Sequence, residues 1–243
     1  IMTTESKQMN VFNAVDNLRE TYQRYVFTFQ KFRNPAIQEW VNEKMSEGGL
    51  LWKDTHVELK RRFKTGLNIQ AHADTGLLHP RTPQIFSSDD KPIELYKHQE
   101  DAIVSIISKN QNTIITTGTG SGKSFCFGIP IIDECLRLKD QNIGGIKAIL
   151  IYPMNALANS QYDDFAQRLA GSGLKIALYT GDTAPDPDAA RGFHYDAFGR
   201  EPVDSEVLSR TEIQENPPDI LITNYVMLEY LMTRFEDKSL LPP

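Results

Sequence analysis

Thr117-Gly118-Thr119-Gly120-Ser121-Gly122-Lys123-Ser124 is the stretch that decides the fold. A β-branched run at 113–117 (TIITT) leads into it, and a segment with helical periodicity, predicted over 122–138, leads out. Strand, glycine-rich turn and helix start, in that order, are the setting of a phosphate-binding loop. The glycines let the backbone curl so that successive N–H groups converge on phosphate oxygens. The helix start adds its partial positive charge. In this reading Thr119, Gly120, Ser121 and Gly122 wrap the phosphates. Lys123 neutralises the β- and γ-phosphates, and the Ser124 hydroxyl ligates Mg²⁺. The strict pattern opens on glycine, where this chain has Thr117.

Working outward, three more short apolar runs read as buried parallel strands: 147–153 (KAILIYP), 175–180 (KIALYT) and 219–224 (DILITN). Helices predicted at 98–109, 122–138, 156–170 and 226–234 separate or follow them. Such alternation specifies an α/β fold, a parallel sheet with helices on its faces. The polar stretch between Gly181 and Pro218 reads as a loop with one helix near 203–215.

Residues 1–90 read as a helical extension, and 91–243 as the α/β domain. Val11, Val15, Leu18, Tyr22, Tyr25, Phe29 and Phe32 fall at three- and four-residue steps, predicting one helix over 9–33 whose apolar stripe packs on the rest of the molecule. Pro35 starts a second helix, which Gly48-Gly49 ends. Lys60-Arg61-Arg62 with Lys64 is either a solvated turn or a phosphate contact. Ser87 to Pro92 reads as the linker.

Composition narrows the class. Among 243 residues 40% are apolar and 24% charged, ordinary for a globular chain. The net charge of −6 argues against a broadly basic nucleic-acid surface, though not against a local groove. No apolar run is long enough for a membrane span or a signal peptide. Cys126 and Cys135 lie nine residues apart on one predicted helix, roughly 13 Å, too far for a disulfide. Reduced thiols and a cytoplasmic location are the expectation.

Around the loop the chain resembles superfamily 2 helicases of the DEAD/DEAH type. Leu95-Tyr96-Lys97-His98-Gln99 resembles their adenine-recognising segment. The resemblance implies that the Gln99 amide pairs with adenine and that Tyr96 either stacks on the base or packs beside it. Tyr152-Pro153-Met154-Asn155-Ala156-Leu157-Ala158-Asn159-Ser160-Gln161 resembles the segment that contacts the nucleic-acid backbone, which nominates Pro153, Asn155 and Asn159. Thr180-Gly181-Asp182 and Ile222-Thr223-Asn224 resemble the next two contacting turns, nominating Gly181, Thr223 and Asn224. Asn216-Pro217-Pro218-Asp219-Ile220-Leu221 is similar to the Lhr- and Hrq1-like DNA helicases, larger members of which carry a cysteine-cluster C-terminal region. The resemblance implies a RecA-like domain, ATP and Mg²⁺ as cofactors, and single-stranded or partly duplex DNA as partner. It also implies a second RecA-like domain.

The family's Asp-Glu pair, which holds Mg²⁺ and orients the attacking water, should follow a further strand. Asp133-Glu134 imitates it but falls nine and ten residues after Ser124, inside the predicted helix. No crossover of a dozen residues fits there. The pair is expected on a solvated helix face, and the chain by itself is expected to bind ATP without turnover. Two other readings remain: a short regulatory module that binds nucleotide or nucleic acid, and another phosphate-loop ATPase such as a kinase or transporter subunit. The Gln99 and Tyr152–Gln161 segments speak against the latter.

Overall fold

A computed structural model describes residues 10–46, 53, 62–88, 91–235, 237 and 240. They belong to two compact units, Ile1–Arg61 and Arg62–Pro243. The first holds α1 (Val11–Phe29) and α2 (Pro35–Ser46). Asn10 caps α1 by accepting from the N–H groups of Phe12 and Asn13. Pro35 opens α2 as the sequence predicts. In this unit α1 buries none of its residues, and Leu18 and Phe29 are 70% and 71% exposed. Periodicity says which side chains share a face; burial also needs an opposing surface, which local sequence does not encode. Gly48-Gly49, Lys60 and Arg61 lie outside the described residues.

In the second unit, β1 (Thr65–Asn68), α3 (Ile69–Asp74), α4 (Thr82–Ile85), β2 (Ser87–Ser88), β3 (Lys91–Pro92) and β4 (Glu94–Tyr96) precede α5 (Lys97–Ile103), which runs on into a π-helical turn, Val104–Ser108. Antiparallel pairing of β1 with β4 ties residues from 65 onward to the second unit. After the loop come α6 (Lys123–Asp140), β5 (Ala148–Tyr152), α7 (Asn155–Leu169), β6 (Ile176–Tyr179), α8 (Pro187–Phe198), β7 (Glu206–Val207), α9 (Arg210–Glu215), β8 (Ile220–Asn224) and α10 (Tyr225–Thr233).

The sheet is parallel, in the order β5-β8-β6-β7. This is a RecA-like α/β arrangement. Its register pairs Tyr152 with Asn224 and Tyr179 with Thr223, so the turns after β5, β8 and β6 line up along one edge. One face packs on Ile129, Ile132 and Leu136 of α6 and on Tyr162, Phe165 and Leu169 of α7. The other packs on Met227 and Leu231 of α10. At the opposite sheet end Asp219 accepts from Lys147 (2.6 Å), Lys139 (2.9 Å) and the Lys175 N–H (2.7 Å). Burial pushes the Asp219 carboxyl up, but these donors outweigh burial and hold it below the usual carboxylate range.

Two expectations change here. Residues 113–117 form no strand, and Ile114 is 91% exposed. A strand exists only as part of a ladder, and no described residue pairs with this run. Asp133 does not face solvent: it is 1% exposed and accepts from the His79 N–H, the Thr82 hydroxyl and Arg137 Nε. It fastens α4 to α6, while Glu134 is exposed. Both lie within α6, as the spacing predicted. The insertion also holds a helix the sequence reading missed, α8, capped by Asp186 and ended by left-handed Gly199. No described helix is long and apolar enough to cross a membrane.

Candidate functional site

Gly120 and Gly122 both sit at left-handed φ, +75° and +70°. No atom lies within 4 Å of where a Cβ would stand on Gly118 or Gly120, which leaves open space beside the loop. Gly122 is different, because a Cβ there would come 2.5 Å from Gln99 Nε2. That amide donates to the Gly122 carbonyl (2.9 Å), and Gln99 Oε1 accepts from the Tyr96 N–H (2.8 Å). Gln99 is therefore buried and spans the start of α5 and the loop, with both ends of its amide engaged.

Inside the loop Ser121 is buried, its hydroxyl 2.7 Å from that of Thr117. Thr119 is exposed. Lys123 Nζ donates to the carbonyls of Thr117 and Gly118, both at 2.7 Å. A phosphate entering that space exchanges those neutral acceptors for a charged one, the stronger partner for an ammonium. The α6 N-terminus has no side-chain cap and no acidic residue in its first turn; the Phe125 N–H donates to the Gly122 carbonyl, and the Lys123 and Ser124 N–H groups remain for an anion. Loop shape, lysine and free helix start fit a nucleotide's phosphates.

Beside the loop, Tyr96 and His98 stack with ring centroids 5.8 Å apart, and Phe63 lies 5.3 Å from each. His98 Nε2 is 3.0 Å from the Ser121 carbonyl oxygen. His98 lies within the adenine-recognising segment, where the motif gives it no role, and Phe63 escapes motif reading: it lies far upstream, and the β1–β4 pairing brings it there.

Ser124 Oγ donates to Gln161 Oε1 on α7 at 2.9 Å, joining the loop to the segment after β5. There the nominated turns meet. Asn224 Nδ2 donates to Asn155 Oδ1 (2.9 Å), and Asn155 Nδ2 donates to Asp182 Oδ2 (3.1 Å). One hydrogen-bonded chain thus crosses the turns after β8, β5 and β6. Pro153 and Gly181 are exposed beside it, and Asn159 lies one turn along α7 from Asn155, half-buried. Arg210, which no motif singled out, braces the third turn by donating to the carbonyls of Thr180, Gly181 and Thr183. The α7 N-terminus, with Met154 at its cap, has no side-chain cap either.

Thr223 sits differently from the other nominated residues. It is fully buried, and its hydroxyl donates to the Tyr179 carbonyl at 2.6 Å. It ties β8 to β6 rather than presenting its hydroxyl to a strand. Tyr225 and Met154, 65% and 61% exposed, are the apolar groups that the same turns display.

This architecture, a parallel sheet with a phosphate loop opening onto an uncapped helix, defines a RecA-like nucleotide-binding domain. The DEAD/DEAH box helicase family matches residues 96–240, and the chain belongs to that family. It is similar to the Druantia protein DruE of an Escherichia coli strain, at 29% identity over 57% of this chain and 12% of that protein. It is also similar to the ATP-dependent helicase HRQ1 of Saccharomyces cerevisiae, at 36% identity over 47% of this chain and 10% of that protein. The DUF1998 helicase MrfA, solved bound to DNA, shares the fold with a TM-score of 0.52 and 23% identity, over 74% of this chain and 20% of that one. The chain thus spans about an eighth of DruE and a tenth of HRQ1.

Proposed function

We propose that this chain is the ATP-binding portion of an ATP-dependent DNA helicase or translocase related to the Lhr- and Hrq1-like group. ATP is held by the Thr119–Ser124 loop, Lys123 meets the β- and γ-phosphates, and Ser124 turns from Gln161 to Mg²⁺. Bound Mg²⁺ supplies charge neutralisation at the phosphates. The adenine lies beside Tyr96, whose ring, with Phe63 and His98, offers a stacking face. Gln99 serves this site through the backbone it holds, and it reaches the base itself only by releasing Gly122 or Tyr96.

A nucleic-acid strand crosses the edge formed by Pro153, Asn155, Gly181 and Asn224, with a phosphate over the uncapped start of α7. The observation that carries this reading is the Asn224–Asn155–Asp182 chain, which joins three turns far apart in sequence into one surface. The Ser124–Gln161 bond gives that surface a direct connection to the nucleotide loop. The DNA in the MrfA complex supports DNA as the substrate. The one Asp-Glu pair in the sequence lies within α6, so we expect binding without turnover from these residues alone; carboxylates and a second RecA-like domain complete the parent enzyme.

The test is ATP hydrolysis by the 243-residue chain with and without single-stranded DNA, beside equilibrium DNA binding by wild type and Asn155→Ala. The proposal expects no hydrolysis, and DNA binding that weakens several-fold in Asn155→Ala while ATP binding holds. DNA-stimulated hydrolysis would overturn the assignment of the missing carboxylates. DNA binding indifferent to Asn155 would overturn the strand path.

A further inference from the structure

Between α7, β6 and α8 the second unit holds a cavity of about 180 Å³ beside the turn after β6. One water needs only roughly 15 Å³ on this measure, so the space suits a planar heterocycle. Leu178, Phe193 and Phe198 make its apolar walls, and Asn159, Thr180 and Asp182 supply its polar groups. Phe193 is 60% exposed and, with exposed Asp182, stands at the opening.

The surrounding walls are firmly built. His194, which also lines the space, is held at both ring nitrogens, by the Arg200 carbonyl oxygen (3.1 Å) and by Glu206 (2.9 Å). Arg200 pairs with Glu206 and with Asp163 of α7, so α8 is pinned to its neighbours on two sides. Burial pushes the Glu206 carboxyl up, yet Arg200, the Val203 N–H and His194 hold it below its ordinary value, keeping this brace charged.

Three features select the occupant. No lysine or arginine lines the cavity and Asp182 does, so a phosphate is disfavoured and a neutral group is favoured. Asn159 makes no side-chain hydrogen bond among the described residues, leaving its donor and its acceptor free. Asp182 uses one carboxylate oxygen on Asn155, and the other remains for a further donor. An amide that donates and accepts side by side matches adenine's N7 and amino group, and a carboxylate accepts from an exocyclic amine. An exposed aromatic face beside them stacks on any base.

Resting on the strand path above, we propose that this cavity receives one unstacked nucleobase of the bound strand, preferentially one with an exocyclic amino group, adenine above all. Phe193 stacks on it, Asn159 reads its edge, and Asp182 accepts from its amine.

The test is fluorescence anisotropy of the 243-residue chain with three oligodeoxynucleotides of equal length: all-adenine, all-thymine and fully abasic. Wild type is expected to bind the adenine strand roughly tenfold or more tighter than the abasic one. Phe193→Ala should shrink that gap several-fold. Asn159→Ala should lower the ratio of adenine to thymine affinity. Asn155→Ala should weaken all three strands alike, because it acts on the backbone path. If Asn155→Ala does so while the other two variants leave every ratio untouched, the cavity proposal falls and the strand path stands. If no strand binds, or Asn155→Ala changes nothing, both fall. Self-association of the chain that Phe193→Ala abolishes, with the base ratios unmoved, would assign the cavity to a second copy and overturn the proposal. Thermal melts keep the comparison sound, since neither Phe193 nor Asn159 is buried.

Discussion

Gly122→Ala and Gly120→Ala form a pair that separates two reasons for glycine in the phosphate loop. Both positions have left-handed φ, +70° and +75°, and an alanine there costs about 1–2 kcal/mol. At Gly120 nothing stands near the new methyl, so this cost is the whole effect. At Gly122 the methyl would lie 2.5 Å from Gln99 Nε2, and the amide must withdraw. It then gives up its bonds to the Gly122 carbonyl and the Tyr96 N–H, each worth about 1 kcal/mol, in a buried setting. Gly122→Ala should therefore destabilise by about 3–4 kcal/mol, roughly 2 more than Gly120→Ala. Urea denaturation of both variants, each in wild-type and Gln99→Ala backgrounds, reads the difference. With Gln99 removed, the two glycine substitutions should become equivalent. Equal effects in the wild-type background, or an excess that survives Gln99→Ala, would refute the bridging role of Gln99.

Three further outcomes follow from the buried groups. Asp219→Asn leaves Lys147 buried without its carboxylate and should cost about 3–5 kcal/mol, read as a lowered denaturation midpoint. The Asp219 carboxyl titrates lower folded than unfolded, so its contribution is complete above about pH 4 and is lost as pH falls through the folded value; the variant should show a shallower acid limb. Asp133→Ala orphans the His79 N–H, the Thr82 hydroxyl and Arg137, and should destabilise by a similar about 3–5 kcal/mol without changing the affinity of folded protein for nucleotide. Burial pushes the Cys126 thiol up and the Cys135 thiol up to about 12, so an aromatic disulfide reagent should label neither until the chain is denatured; rapid labelling of the native chain would contradict their placement.

What the sequence made legible was whatever depends on neighbours along the chain. The helix after Ser124, the strands near 147–153, 175–180 and 219–224, and Pro35 at a helix start all follow from local spacing, and all are present within a residue or two. The order of glycines in the loop likewise carried its geometry. Failures came where a partner distant in sequence decides. Residues 113–117 have strand composition but no ladder among the described residues. Asp133 looks like surface charge until the His79 N–H and the Thr82 hydroxyl of α4 reach it from about fifty residues upstream. Thr223 matches a contacting motif, but the register of β8 against β6 turns its hydroxyl inward. α8 was missed for another reason. Its signals, Asp186 before Pro187 and Gly199 at the end, are local, but weak apolar periodicity in a polar insertion hid them.

The function proposed for this chain requires that the loop at 117–124 bind the phosphates of ATP. Titrating a fluorescent ATP analogue into the chain and into Lys123→Ala, with and without Mg²⁺, tests that most directly. Saturable binding that Mg²⁺ strengthens and Lys123→Ala weakens at least tenfold, with the variant still folded, is the predicted result. Equal affinity of the two proteins would contradict the account, because the nucleotide would then be bound somewhere other than the loop from which the whole reading starts.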